Sequence, residues 1–218
     1  MARPRSAGFE GQREQILAAA AQLFAQRGYS SSTMAEVAAA SGISKATLYH
    51  YVRDKQDLLA QITTTHVQRL QTLVQAVAEQ HLPPQEHLSE LVLRLMQVYE
   101  KAQAEHRVLT EDVKFLPVLR PAGAGGNDDS APPSPHEQVV QGQRQVVQAV
   151  ADAVAALRPD LLPAGLHKPV AMLLFGMMNW TFTWLHADGA LSHQDVAQLL
   201  LRLFLGGIQA LQPQHSTA

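Results

Sequence analysis

The sequence predicts an all-α protein of about nine helices, in which a small N-terminal three-helix unit with a helix-turn-helix precedes a larger helical bundle. Apolar residues recur every three or four positions along most of the chain, which is the spacing of one face of an α-helix. The apolar–polar alternation typical of strands is nearly absent. Because 46% of the 218 residues are apolar, the chain can bury a sizeable core.

The helix-turn-helix pattern follows the first predicted helix. Thr33 and Glu36 stand in the positions of a capping box, which predicts a short helix after Thr33. Gly42 supplies a turn position that can take a positive φ. Ser44 can then cap a second short helix, and Asp54 can cap the long helix that follows.

Caps, glycines and prolines divide the chain into successive elements. The predicted helices cover residues 11–27, 34–41, 45–52, 55–77, 88–99, 135–157, 166–186 and 193–208. A less regular apolar stretch covers residues 106–120. Residues 121–135 are rich in Gly, Ala, Pro and Asp, which predicts a flexible loop or linker.

Composition excludes several classes of protein. There is no cysteine, so disulfides, thiolate nucleophiles and cysteine zinc sites are excluded. The N-terminus lacks the apolar run of a signal peptide, and the uncharged residues 170–185 are interpreted as a buried helix rather than a membrane span. We therefore expect a cytoplasmic protein with no membrane partner. Residues 1–58 carry seven Lys/Arg and five Asp/Glu, whereas residues 59–218 carry ten and fourteen, so the basic excess lies in the helix-turn-helix part.

The second helix of the motif carries a small surface suited to reading DNA. Leu48 and Val52 are four residues apart and are expected to point inward. Lys45 can donate to guanine and Ala46 can touch a thymine methyl group, while flanking hydroxyls and cations hold phosphates. The candidate DNA-binding residues are Thr33, Ser44, Lys45, Ala46, Thr47, Tyr49, His50, Tyr51 and Lys55.

The joint pattern T-x-x-E-V-A-x-x-S-G-I-S-x-x-T-L-Y-x-Y-V-x-x-K resembles the DNA-binding domain of the TetR/AcrR family of transcriptional regulators. The matching residues are Ile16, Ala19, Ala20, Leu23, Phe24, Gly28, Tyr29, Thr33, Ala38, Gly42, Ser44, Thr47, Leu48, Tyr49, Tyr51, Lys55 and Leu58. Val52 stands where many members have phenylalanine, and Ala35 stands where some carry a base-contacting arginine. Base reading is therefore expected to rest on Lys45, Ala46, Thr47 and His50.

The resemblance implies a homodimer in which the last two long helices of each subunit form a four-helix bundle. It implies a DNA-binding domain over residues 10–70 and a ligand-binding and dimerisation domain over residues 71–212. Two reading helices about one DNA turn apart require a palindromic operator on double-stranded DNA. In the family, a small molecule bound in the C-terminal domain moves the helix after Lys55 and lowers DNA affinity, which implies a repressor. Phe175, Met178, Trp180, Leu199, Leu203 and Phe204 are expected to divide between core, pocket and dimer interface.

The effector is expected to be a small apolar molecule or an acyl-CoA. Residues 176–192 are similar to the C-terminal domains of family members that regulate fatty-acid, steroid or aromatic-acid degradation and often sense acyl-CoA thioesters. That resemblance implies acyl groups against Met178, Phe182 and Trp184, with Lys114, Arg120 or Arg144 on the phosphates. The candidate ligand-binding residues are His66, Met96, Tyr99, Phe115, Arg144, Phe175, Met178, Asn179 and Phe182. Any one of the aromatic residues can equally belong to the plain core.

Other classes of function are weighed against this interpretation. No metal-binding motif is present, and the glycine-rich residues 123–126 follow no predicted strand and lack the lysine of a phosphate loop, so we expect neither an enzyme nor a cofactor. His66 on an apolar helix face is more typical of a core histidine than of a ligand. The alternatives that stay open are a multidrug or xenobiotic-binding regulator, and a helical interaction module whose helix-turn-helix is vestigial.

Overall fold

The computed structural model of the chain describes residues 7–116, 133–185 and 189–212. Within these ranges all regular structure is helical, which confirms the predicted all-α class. The α-helices are α1 (Ala7–Arg27), α2 (Met34–Ala40), α3 (Lys45–Leu48), α4 (Lys55–Ala78), α5 (Pro84–Lys101), α6 (Gln103–Glu111), α7 (Pro135–Leu157), α8 (His167–Asn179) and α9 (His193–Ala210). Short 3-10 helices cover Val113–Phe115, Pro159–Leu161 and Trp180–Thr183. None of the described helices combines the length and the apolar character needed to cross a bilayer.

The chain divides into two compact units. The first comprises Met1–Val67 and Ala104–Val140, and the second comprises Gln68–Gln103 and Gln141–Ala218. The first break lies close to residue 70, the predicted end of the N-terminal domain, but the segment around α6 groups with the first unit. The domain limits themselves stay a prediction.

The core of the first unit is built where α1, α2 and α3 meet. Phe24 of α1, Val37 of α2 and Leu48 of α3 are all buried. Burying each large apolar side chain contributes about 1.5–3 kcal/mol, so the crossing of three short elements is stabilised mainly by these contacts. Arg13 Nε of α1 also donates to Gln61 Oε1 of α4 over 2.8 Å.

In the second unit α9 packs along α5 and against α8. The apolar stripe of α5, which includes Leu91, Leu95 and Met96, is buried. Arg158 connects the segment after α7 to the end of α9. Its guanidinium donates to the Asp160 carboxylate and to the carbonyls of Ile208 and Leu211, where α9 ends.

Local signals were the most accurate sequence predictions. The capping boxes of Thr33 with Glu36 and of Ser192 with Asp195 are both formed. Ser134 and Glu137 make the same reciprocal bonds at the start of α7, over 2.7 and 3.2 Å. These pairs lie three residues apart, so the sequence alone specifies them.

Several helix limits differ from the prediction. α1 begins at Ala7 rather than residue 11, and α3 ends at Leu48 rather than residue 52. The apolar segment predicted as one helix to residue 186 leaves α-helical geometry after Asn179. There Thr181 Oγ1 donates to the Met178 carbonyl over 2.7 Å, one of the local side-chain bonds that compete with the α-helical ladder. Arg120, the predicted linker up to residue 132, and residues 186–188 lie outside the described residues.

Candidate nucleic-acid interface

The turn between α2 and α3 is fixed by backbone bonds. Gly42 has φ +67°, which favours glycine, and its N–H donates to the Ala39 carbonyl over 3.1 Å. The Ile43 N–H donates to the Ala38 carbonyl over 3.0 Å. Ala38 is buried at the crossing, whereas Ala39 is exposed. The turn therefore sets the direction in which α3 leaves α2.

The start of α3 is capped by its own hydroxyl groups. Ser44 Oγ accepts a bond from the Thr47 N–H over 3.0 Å and lies 2.8 Å from Thr47 Oγ1. The α-helix then ends after one turn, because the N–H groups of His50 and Tyr51 donate to carbonyls only three residues back. The second element of the motif is thus one short helix followed by a tight turn.

This helix and turn separate an inner side from an outer side as predicted. Leu48 and Val52 are buried. The outer side presents Ser44, Lys45, Ala46, Tyr49 and His50, which are exposed, and Thr47 and Tyr51, which are half-buried. We call these seven residues the reading surface. It combines a cation, hydroxyls, a methyl group and an imidazole within eight positions.

Phe9 is a supporting residue that the sequence analysis missed. Its ring stacks on Tyr51, with centroids 4.5 Å apart and planes inclined by 23°. This contact joins the first turn of α1 to the end of the reading surface. The apolar stripe of α1 gives no indication of it, because Phe9 lies ahead of the residues that define the stripe.

Thr33 is held in the capping box of α2. Its backbone N–H and its hydroxyl both donate to Glu36 Oε2 over 2.8 Å, and Arg27 Nη1 donates to Glu36 Oε1 over 2.8 Å. The Thr33 side-chain and backbone bonds, followed by the nearby Arg27 charge, lower the pKa of Glu36. The hydroxyl expected to meet a phosphate is therefore already engaged by Glu36.

The lowered pKa of Glu36 makes a pH-dependent contribution to stability. The ionised carboxylate stabilises the folded chain above its ordinary pKa of 4.5, and this contribution is lost as the pH falls through the lower folded value. In Glu36→Gln we expect a shallower fall in the free energy of unfolding below about pH 4.5. Urea unfolding of both proteins across this pH range measures the difference. Glu14→Gln, an exposed change on α1, is the matched control, and a slope in Glu36→Gln equal to that of wild type would contradict the assignment.

Lys55 faces the chain itself rather than solvent phosphate. Its ammonium group donates to the carbonyls of Tyr29, Ser30 and Ser32 over 2.9, 3.3 and 2.9 Å, and lies 4.5 Å from the centre of the Tyr29 ring. All three N–H donors therefore have an acceptor. These bonds connect the loop between α1 and α2 to the start of α4.

Replacing Lys55 with methionine is expected to destabilise the protein by about 1–3 kcal/mol, because three carbonyls lose a charged partner. The loss of the contact with the Tyr29 ring adds to this effect. Urea unfolding followed by circular dichroism measures the change. Lys168→Met, an exposed lysine on α8, is the control, and equal stability of the two variants would refute the stabilising role of the Lys55 bonds.

The candidate effector-binding residues fall in both compact units. His66 and Phe115 belong to the first unit, and the other seven belong to the second. His66 is buried, with Nε2 lying 3.2 Å from His106 Nδ1, which fits the alternative of a core histidine. The Phe115 ring stacks on Tyr29 with centroids 5.2 Å apart. Phe115 thus contacts a residue of the α1–α2 loop.

In the second unit the effector candidates are mostly packed inside. Met96, Tyr99, Phe175 and Met178 are buried, and burial raises the pKa of Tyr99. The remaining candidates differ in exposure: Asn179 and Phe182 are half-buried, and Arg144 is exposed. The Asn179 Oδ1 atom is buried and has no hydrogen-bond donor among the described residues.

A broad apolar face covers one side of α8, the 3-10 helix after it, and α9. The exposed large apolar residues are Met172, Leu173, Met177, Trp180, Trp184, Leu199 and Leu203. We call these residues the α8–α9 apolar face. It encloses a shallow crevice of about 540 Å³. Trp184, expected against an acyl group, belongs to this face. Large contiguous apolar patches on a soluble chain mark interaction surfaces.

Comparison with known proteins gives a consistent result over most of the chain. Residues 16–62 match the family model described as bacterial regulatory proteins of the tetR family, and residues 126–208 match the tetracyclin repressor-like C-terminal domain. The HTH-type transcriptional repressor KstR2 of Mycolicibacterium smegmatis is 25% identical over 92% of both chains. A TetR-family transcriptional regulator from Bordetella parapertussis is 31% identical, with a TM-score of 0.78 over 92% of this chain and 97% of its own.

A further solved structure has the same fold at lower identity. It is AibR in complex with isovaleryl coenzyme A and operator DNA, which is 21% identical, with a TM-score of 0.67 over 88% of this chain and 97% of its own. TetR-type proteins are transcriptional regulators that bind DNA and respond to ligands, and they are not enzymes. This confirms the expectation that the chain is not an enzyme. The chain belongs to the TetR family of bacterial transcriptional regulators.

Proposed function

We propose that the protein is a dimeric repressor that binds a palindromic operator through the reading surface and leaves it when a small apolar or acyl-CoA effector binds. The observation that carries the DNA-binding part is the geometry of α2, the glycine turn and α3. They bury Leu48 and Val52 and leave Lys45, Ala46 and His50 exposed together. Such a helix can enter the major groove with these side chains towards the bases.

The exposed residues divide into two groups by reach and chemistry. Lys45, Ala46, Thr47 and His50 are assigned to base edges, with Lys45 donating to guanine and Ala46 touching a thymine methyl group. Ser44, Tyr49 and Tyr51 are assigned to the phosphate backbone. Thr33 is left out because its backbone N–H and its hydroxyl both donate to Glu36. Lys55 is removed from the second group because its ammonium group is bound to three carbonyls of the chain.

A second copy of the chain is the proposed partner of the α8–α9 apolar face. TetR-family regulators dimerise, and in the single chain Leu173, Trp180 and Leu203 are 68%, 66% and 64% exposed. Covering these residues with the same face of another subunit forms a symmetric four-helix interface. The two reading surfaces then meet DNA about one helical turn, roughly 34–36 Å, apart, which requires a palindromic site.

The effector site is proposed in the second unit, around the buried parts of α5 and α8. Its candidate lining is apolar, with Met96, Phe175 and Met178 as examples. The buried Asn179 Oδ1 offers an acceptor for one polar group of a ligand. Arg144 is exposed on α7 and can meet an anionic group. The structural neighbour AibR binds isovaleryl coenzyme A, which supports an acyl-CoA here. Phe115 leaves the candidate set because its ring stacks on Tyr29.

A thermal-shift screen tests the effector proposal. Acyl-CoAs of increasing acyl length, free CoA and a panel of hydrophobic drugs are each added to the intact protein. We expect acyl-CoAs alone to raise the melting temperature and, at the same concentrations, to release operator DNA. A response to many unrelated drugs would favour the multidrug regulator instead, and no response to any compound would overturn the ligand-released repressor.

A further inference from the structure

A groove of about 820 Å³ lies on the second unit. It is formed by the second half of α4, the outer face of α5 and the first turns of α9. None of the proposed effector residues lines it. The groove is therefore a separate feature, and an inference about it does not depend on the effector assignment.

The charges of the groove are predominantly positive. Arg69, Arg94 and Lys101 line it together with one carboxylate, Glu90. Arg94 Nε donates to Glu90 Oε1 over 2.5 Å, so these two charges offset each other. For Arg69 and Lys101, no acceptor lies within hydrogen-bonding distance in the described part of the chain. Residues 59–218 carry more acidic than basic side chains. A groove with two unpaired cations therefore has the opposite charge to this part of the chain as a whole.

Apolar and amide groups line the same groove as these cations. Arg94 and Lys101 are seven residues apart on α5, which is two turns on the same face and about 10 Å. Leu73 of α4 and Leu93 of α5 are half-buried and form part of the floor. Gln194 and Gln198 of α9 add amide groups along the third side. The groove can thus hold a negative head group and an apolar chain at the same time.

We propose that this groove binds an amphipathic organic phosphate, with its phosphate on Arg69 and Lys101 and its apolar part along Leu73 and Leu93. A phosphate monoester carries a charge of about −1.5 to −2 at neutral pH, which matches two unpaired cations better than a single carboxylate does. Arginine also binds phosphate oxygens through paired N–H donors. An alkyl or ring group that covers the half-buried leucines removes their apolar surface from water, which stabilises the bound state.

Calorimetric titration of the intact protein with octyl phosphate tests the proposal. We expect one site per protomer and a dissociation constant that rises about fivefold in Arg69→Gln and again in Lys101→Gln, since each variant loses one charge-assisted contact at a partly exposed site. Lys168→Gln removes an exposed lysine of α8 outside the groove and should leave binding unchanged. Circular dichroism checks that the variants keep their helical content.

Three further probes separate the parts of the proposal. Inorganic phosphate tests the contribution of the apolar floor, octanoate tests the preference for a dianion, and octyltrimethylammonium tests the sign of the charge. Each should bind more weakly than octyl phosphate. Binding of any of them as tightly as octyl phosphate, absence of octyl phosphate binding, or equal binding by wild type and both groove variants would overturn the proposal.

Discussion

Replacing Leu173 and Leu203 together with glutamate is expected to turn the dimer into a monomer that no longer binds the operator. In the single chain both side chains are largely exposed, so the substitutions should cost little within the subunit. In the proposed four-helix interface each glutamate would be buried without a partner, which costs several kcal/mol per charge. Four such charges per dimer should weaken association by about three orders of magnitude or more. Sedimentation velocity at micromolar protein measures the change.

The matched control for this double variant is Leu162→Glu, which adds a glutamate at another exposed leucine outside the α8–α9 apolar face. The control should remain dimeric and bind DNA as wild type does. A double variant that stays dimeric with unchanged operator affinity would contradict the assignment and place the interface on another surface. Circular dichroism measures the helical content of the double variant. If that content falls, the single variant Leu203→Glu is tested in its place.

Replacing Lys45 with alanine is expected to lower operator affinity by about ten- to a hundredfold at moderate salt, because each subunit loses a base contact. Lys45 is exposed and lies over the Tyr49 ring at 6.0 Å, so its removal leaves the buried side of α3 intact. Helical content and the melting temperature should therefore stay those of wild type. Fluorescence anisotropy with labelled operator measures the affinity.

Lys168→Ala is the control for the Lys45 variant, since it removes one exposed cation from the second unit. The control distinguishes a specific contact from a general change in net charge. If both variants bind the operator equally well, Lys45 does not read DNA, and the reading surface has to be reassigned.

The parts of the structure that the sequence predicts correctly depend on short separations. The capping boxes join residues three apart, and burial of Leu48 and Val52 follows from their four-residue spacing. The capping boxes lie in the first turn of one helix, and Leu48 and Val52 lie in α3 and the turn that follows it. For this reason the helix-turn-helix could be located and its inner and outer sides assigned before any tertiary contact was known.

The parts that the sequence could not predict depend on contacts between distant segments. In the sequence, Lys55 has the charge expected of a phosphate ligand. Its bonds to carbonyls 26 and 23 positions earlier join distant segments, so the sequence does not indicate them. The stacking of Phe9 on Tyr51 and of Phe115 on Tyr29 likewise joins residues on separate elements. Periodicity assigns a residue to a face of its helix but does not identify the residue that this face meets.

The central claim is that a dimer reads a palindrome through residues 44–51, and selection of bound sequences from a random DNA pool tests it most directly. We expect the selected DNA to contain two inverted half-sites about 10 base pairs apart from centre to centre. Two protomers should bind each site, and the logarithm of the binding constant should fall linearly with the logarithm of the salt concentration. Weak binding without sequence preference, or selected sites that lack inverted repeats, would contradict the claim.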